Sequence, residues 1–395
     1  MKLVFATEAS FFRGKDGNLY VPPHGTFTNR LMARYLEAFD SVSLLARVRN
    51  TPEEEYLPER RIGNDRISVL PLPYYSGPWQ FLKKRSEIIR TIRSHIEPDT
   101  AYICRVPGTI GTTLARCLRE RNIPYAVEVV GDPYDVFSPQ STKYFLRPLY
   151  RSKLTSDLKK TVYHSSAALF VTREYLQRRY HTRDGVFTTF ASDVALTGET
   201  FVDKEKTWSG TSGNIKLISV GTLGQLYKAP DIVLKAIAQL KEKHHIICEL
   251  TWVGGGRHQK EMQELTLSLG IEEQVNFLGH VEAGNGVRQR LDESDLFLLV
   301  SRTEGLPRAL IEAMARGLPC ITSRVGGMPE LLDNSALVPA NDVNALAEKI
   351  REFIETPGLA QEQAKRNLAV AREYTDDFLA EKRRIFYSEI IKAYH

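Results

Sequence analysis

Two carboxylates, Glu304 and Glu312, stand eight residues apart in SRTEGLPRALIEAMARGLPC (301–320), and Gly305, Leu306 and Pro307 follow the first of them. The apolar run before this segment reads as a strand and the periodic segment after it as a helix. The spacing therefore predicts a tight turn and a helix start at Pro307, where a missing N–H costs nothing. The next amides, on Arg308, Ala309 and Leu310, then have no intrahelical acceptor, and such a helix N-terminus holds a phosphate or diphosphate. Glu304 falls in the turn before that anion site, and Glu312 about 7 Å further along at 1.5 Å per residue. Carboxylates accept hydrogen bonds from hydroxyls, and a nucleotide diphosphate sugar carries hydroxyls on both sides of its diphosphate. The same pattern also fits a charged surface helix, with Arg308 and Arg316 pairing Glu312 for a few tenths of a kcal/mol.

Four further strand ends carry similar chemistry. In SVGTLGQLYKAPDIVLKAI (219–237), Gly221 and Thr222 follow an apolar run, and Lys228 precedes a helix. A glycine there permits close backbone approach, and a lysine can neutralise a diphosphate leaving group or remain a solvated loop cation. WVGGGRHQKEMQEL (252–265) places three glycines in a strand-to-helix turn, for approach to a ligand or for a tight turn alone. VNFLGHVE (275–282) sets Gly279 and His280 at another strand end, and EVVGDPYD (128–135) does the same for Asp132. Asp132 in that place orients an acceptor hydroxyl or caps the following turn.

Positioning these groups requires a regular scaffold, and the chain has one. Short apolar runs at 2–6, 42–46, 66–70, 101–104, 125–130 and 168–172 alternate with segments of helical period such as 28–39 and 81–96. Continuously apolar strands separated by helices imply parallel sheet covered on both faces. The pattern restarts after a polar stretch, 198–214, which reads as a linker, with strands expected at 215–220, 246–253, 274–278, 295–300 and 319–323. The expected architecture is α/β, two Rossmann-like domains with ligands beyond the carboxyl ends of the strands, in the cleft that two facing sheets make. The first domain is expected over 1–198, completed by a final helix at 375–395 that crosses back, and the second over 199–374.

The length of 395 residues suits two domains better than one core. With 42% hydrophobic and 26% charged residues the chain is globular, not disordered. A net charge of +5 suits a phosphate-bearing ligand or an anionic membrane without selecting either, and no nucleic-acid partner is expected. The four scattered cysteines form no C-x-x-C pair, so thiols in a reducing compartment are expected rather than a zinc site or disulfides. MKLVFATEAS reads as a first strand, not a signal peptide, and the expected location is cytoplasmic.

The second half resembles the family 4, or group 1, retaining glycosyltransferases of GT-B fold. The resemblance rests on Glu-x7-Glu in E-G-L-P-R-A-L-I-E, V-G-x-L with a downstream Lys, V-G-x-G, F-L-G-x-V, E-A-M-A-x-G-x-P and G-G-x-P-E, in the family's order. The first half is similar mainly in architecture. The resemblance implies transfer of a hexose or N-acetylhexosamine from a nucleotide sugar, a UDP-sugar before a GDP-sugar, to a saccharide or lipid-linked saccharide. It implies that Glu304 contacts the donor sugar, Glu312 the ribose diol, and Lys228 with the 308–310 amides the diphosphate. Gly279 and His280 would then meet the base, with Gly221, Thr222, Gly305 and Leu306 also lining the donor. Glu304, Lys228 and Asp132 would form the catalytic set, and front-face attack would need no protein nucleophile.

Thr222 stands where the family usually has Arg, and Arg257 or Arg302 is expected to supply the missing cation. No D-x-D motif occurs, so no metal and no resident cofactor are expected. A UDP-sugar epimerase of the same fold and a non-catalytic nucleotide-sugar-binding protein are the alternatives. WQFLKKRSEIIRTIR (79–93) and YFLRPLYRSKLTSDLKK (144–160) interleave aromatics with Lys and Arg, as a helix lying on a membrane does or as a helix packed on its own sheet with a solvated basic face.

Overall fold

Each apolar run expected as a strand forms one. A computed structural model describes residues 1–22, 25–50, 57–139, 141, 145–208 and 214–394. Tyr144 of the expected basic-aromatic stretch and residues 209–213 of the expected linker lie outside the described residues. The chain divides into two units: Met1–Pro133, Ser152–Ala191 and Ala380–His395 form the first, and Tyr134–Arg151 with Ser192–Leu379 form the second.

In the first unit the strands are β1 (Lys2–Arg13), β2 (Leu19–Tyr20), β3 (Ser41–Asn50), β4 (Arg61–Ile62), β5 (Ile67–Pro73), β6 (Thr100–Val106), β7 (Ala126–Val129), β8 (Ala167–Phe170) and β9 (Phe187–Phe190). Seven run parallel in the order β5-β3-β1-β6-β7-β8-β9, and β2 and β4 add antiparallel at the end of β1. The β1–β3 register shifts between Ala6 and Ser10. That irregularity takes Thr7, Glu8 and Ala9 out of the ladder, where side chains are free to be re-aimed. The helix expected over 28–39 is shorter. Thr28 caps the helix Asn29–Ala33, and Arg34–Glu37 tightens to a 3-10 turn where Arg34 and Tyr35 turn inward to Glu128.

In the second unit β10 (Ile215–Val220), β11 (Cys248–Val253), β12 (Val275–Gly279), β13 (Leu296–Leu299), β14 (Cys320–Ser323) and β15 (Leu337–Val338) form a wholly parallel sheet in the order β12-β11-β10-β13-β14-β15. The strand order reverses between β10 and β13, so the loops that follow these two strands diverge. Such a switch point is where open parallel sheets hold ligands.

Two expectations about organisation need correction. Residues 198–208 are not a free linker. Val202 N–H donates to Ala315 O at 3.1 Å, Lys206 N–H to Gly317 O at 2.9 Å, and Trp208 N–H to Gln361 Oε1 at 3.0 Å, all within the second unit. Residues 134–151, read as part of the first domain, group with the second unit, where Ser141 Oγ donates to Arg302 O at 3.1 Å. The last helix, Asp376–Lys392, starts in the second unit, where the Leu196 N–H donates to Asp376 Oδ1 at 2.9 Å. From Ala380 it belongs to the first unit, and the Tyr387 ring lies 5.4 Å from Tyr35 and 5.8 Å from Phe39. Among the described residues no helix is long and apolar enough to cross a membrane.

Candidate active site

The loops after β10 and β13 bring Lys228 and Glu304 together. Lys228 ends a 3-10 turn, Leu226–Lys228, and Ala229 then takes a left-handed conformation (φ 49°) before the helix Pro230–His244. The lysine stem runs across Gly221, where a Cβ would lie 3.0 Å from Lys228 Cγ, so a glycine is what lets the stem pass. Lys228 Nζ donates to Glu304 Oε1 at 2.5 Å, with the two side chains only 11% and 10% exposed. Ser301 Oγ donates to the same oxygen at 2.7 Å. Burial alone pulls the Lys228 ammonium down, but the Glu304 carboxylate outweighs it and the net shift is upward, so this lysine stays charged.

Arg302, one of two cations expected near a diphosphate, is occupied elsewhere. Its Nη2 reaches Asp231 Oδ1 and Oδ2 at 2.9 and 2.7 Å, its Nε reaches Asn341 Oδ1 at 2.7 Å, and its Nη1 donates to Leu226 O. The guanidinium thus ties the 301–306 loop to the turn that carries Lys228. It is a strut. From the other side Gly326 (φ 56°) packs on the loop so closely that a Cβ would lie 2.1 Å from Glu304 O.

The helix Arg308–Ala315 begins one residue later than expected, because Pro307 is its N-cap in extended conformation (φ −76°, ψ 116°). No side chain caps it, so the first amides are left for an anion. Arg308 is exposed and has no hydrogen bond or ion pair among the described residues. Glu312 is half-buried and also has none, which raises its carboxyl above the ordinary range through desolvation, opposed by the charges of Arg308 and Arg288. The surface-pairing alternative fails here: Arg316 is held by Asp292 through bonds of 2.6 and 2.9 Å.

Of the glycines at 254–256, Gly254 and Gly256 serve approach of backbone to backbone, and Gly255 faces the His280 ring, which a Cβ would approach to 3.2 Å. A Cβ on Gly254 would meet Gly221 O at 2.3 Å, and one on Gly256 would meet Gly224 N at 2.1 Å. Thr222 Oγ1 folds back, donating to Gly255 O at 3.3 Å and accepting from Gly224 N–H at 3.0 Å. Gly279 O accepts from Gly254 N–H at 2.7 Å, and its neighbour His280 is exposed. Arg257 is exposed, with its Nε 3.2 Å from His258 Nε2. Among the described residues no cluster of His, Cys, Asp and Glu is arranged to hold a metal.

Residues 203–369 match the sequence profile of the family described as Glycosyl transferases group 1. Over that segment the chain is similar to the group 1 glycosyltransferases. The chain is 24% identical to Protein CapJ of Staphylococcus aureus, over 100% of this chain and 98% of that protein. It is 33% identical to the putative colanic acid biosynthesis glycosyltransferase WcaL of Escherichia coli K12, over 37% of this chain and 38% of that protein. The solved structure of Anabaena HepE in complex with UDP-glucose is 15% identical, with a TM-score of 0.63 over 98% of this chain and 99% of that one, a likeness of fold. The two parallel-sheet units are those of the GT-B class.

The remaining site residue expected from the sequence does not fit its role. Asp132 is buried, with Arg179 Nη1 donating to Oδ2 and Tyr180 OH donating to Oδ1 at 2.5 Å. A carboxylate so engaged holds the end of β7 in place, and the expected task of orienting an acceptor is not what this geometry supports. Sequence reasoning also passed over Ser301, Asp231 and Asn341, and it met Gly326 only as the first glycine of G-G-x-P-E. Ser301 had a local signal, three residues before Glu304. Asp231 and Asn341 had none, since they meet Arg302 only through the fold.

Proposed function

We propose that the enzyme is a retaining glycosyltransferase of polysaccharide or glycoconjugate biosynthesis that takes a hexose or N-acetylhexosamine from a UDP-sugar, without a metal. The observation that carries this reading is the uncapped helix N-terminus at Arg308, flanked by the Lys228–Glu304 pair on one side and unpaired Glu312 on the other. The amides of Arg308, Ala309 and Leu310 with Lys228 hold the diphosphate, Glu312 accepts from the ribose diol, and Glu304 accepts from the donor sugar. The exposed Arg308 guanidinium supplies the cation that Thr222 does not, with Arg257 the other candidate. The leaving phosphate takes the acceptor's proton, so no protein nucleophile is invoked. UDP-glucose in the HepE complex supports the donor class, and the colanic acid relative supports a saccharide or lipid-linked saccharide acceptor. The chain acts in the cytoplasm.

Incubation with a panel of UDP- and GDP-sugars without acceptor tests this through slow nucleotide release. E304Q and K228A are expected to lower release by about 10²- to 10³-fold, with unchanged circular dichroism, and EDTA is expected to change nothing. Full release from both variants would refute the site, and loss with EDTA would refute metal independence. An epimerase would give a second UDP-sugar instead of free UDP.

Peripheral membrane contact belongs to the same reading. On the helix Gly77–Ser94, Trp79 and Leu82 are 68% and 53% exposed, beside exposed Lys83, Lys84 and Arg85. That combination of apolar wedge and basic cluster suits an anionic lipid surface. Sedimentation with anionic vesicles at low salt is expected to carry the protein down, and W79S/L82S to leave it in solution.

A further inference from the structure

The first unit holds a cavity of about 470 Å³ beside the middle of β1 and the carboxyl ends of β6 and β7. It is within the range of small-molecule sites, and none of the donor-site residues lines it. Its walls are apolar at Pro22, Phe27 and Pro107, and polar at Glu8, Thr26 and Arg105. The part of β1 left out of the β1–β3 ladder by the register shift places Glu8 there. Ile110 N–H, at the start of the helix Thr109–Arg119, donates to Glu8 Oε1 at 2.7 Å, and Tyr75 OH donates to Oε2 at 2.9 Å. Gly108 is what admits the side chain, since a Cβ there would stand 3.0 Å from Glu8 Cγ. The carboxylate is thus fixed in direction yet 35% exposed, and it has acceptor capacity beyond these two donors.

The charges around the cavity are already matched. Arg105 Nη1 donates to buried Glu128 at 2.9 Å and its guanidinium lies 5.6 Å from the Phe27 ring centroid. Arg47 Nη2 lies 3.7 Å from Glu8 Oε2 and also donates to Glu8 O. Of these groups the Glu8 carboxylate is the most exposed, at 35% against 18% for Arg47 and 16% for Arg105, so an entering phosphate or carboxylate would meet a like charge first, which is unfavourable. A ring that bears only hydroxyls would donate to Glu8 and lay its C–H face on half-buried Phe27.

We propose that this cavity receives an uncharged saccharide ring of the acceptor, and that Glu8 sets this specificity by accepting its hydroxyls and excluding anionic acceptors. The inference rests on the glycosyltransferase reading for the word acceptor, but its test does not depend on donor turnover. Saturation-transfer NMR on the full chain with UDP present would compare methyl glycosides of glucose, galactose and N-acetylglucosamine with glucuronic acid and glucose 6-phosphate. At least one neutral glycoside is expected to bind, with the anionic probes at least tenfold weaker. E8Q, which keeps size and an acceptor oxygen, is expected to bring the anionic probes up by about tenfold while neutral binding changes less than about threefold. F27L is expected to weaken the neutral glycoside by about fivefold through lost ring contact.

Anionic probes that bind the wild type as well as neutral ones do, or binding unmoved by both substitutions, would overturn the proposal, as would the absence of any glycoside signal. UDP binding followed in the same samples scores the donor site separately, so failure of nucleotide binding alone counts against the function proposed above and not against this cavity.

Discussion

Burial raises the Glu312 carboxyl above its ordinary range, and proton linkage turns that shift into a pH dependence. Between its unfolded value near 4.5 and the raised folded value, the folded chain keeps a proton that the unfolded chain has lost. Stability therefore falls as pH rises through that window, and the loss persists at neutral pH. E312Q removes the penalty and is expected to raise the melting temperature at pH 7 while leaving it unchanged at pH 4. The same substitution removes a charged acceptor for the ribose diol, and hydrogen bonds to charged groups contribute about 1.5–3 kcal/mol. UDP affinity by calorimetry is expected to fall about 10- to 100-fold. A more stable protein that binds nucleotide less well is the signature of a group kept for its ligand; a solvated helix glutamate would show neither change.

At the scale of elements, glycines decide how the loops meet. Gly326 combines a left-handed φ with contact against the Glu304 carbonyl, so G326A forces the 301–306 loop to shift. A non-glycine residue in that conformation costs about 1–2 kcal/mol before any clash, and urea unfolding is expected to show at least that loss. Nucleotide release is expected to fall further than stability alone explains, because Glu304 moves with its backbone.

This packing was only partly legible in the sequence. The apolar runs of β10 to β14 and the turn after Leu299 are local signals, and they placed Glu304, Lys228 and the start of the 308–315 helix within a residue or so. The assignment of Arg302 as a ligand cation failed because its partners, Asp231 and Asn341, are 71 and 39 positions away, and no local period reports such a pairing. Asp132 failed for the same reason, since Arg179 and Tyr180 lie 47 and 48 positions on. The short strands β2, β4 and β15, two residues each, carry no periodicity at all.

For the whole molecule the decisive element is the last helix. From Ala380 it supplies Phe386, Tyr387 and Ile390 to the first unit, all of them no more than 1% exposed. Fully burying a large apolar side chain contributes about 1.5–3 kcal/mol, so these three together amount to roughly 5–9 kcal/mol. That is comparable to the entire stability of an ordinary domain. Removing residues 380–395 is expected to unfold the first unit and leave the second intact. Limited proteolysis would then yield a protected fragment from within 192–379, and calorimetry would lose one transition of two. Two unchanged transitions would show that the helix is dispensable.

This arrangement also sets an order of events during synthesis. The first unit is encoded first, yet its closing helix leaves the ribosome only after all of Ser192–Leu379. At 5–20 residues per second the wait is roughly 10–40 s, and the second unit has everything it needs before the first does. In that interval Tyr35 and Phe39 have no Tyr387 to cover them. A nascent-chain chaperone, or the surface of another half-made copy, would find them there.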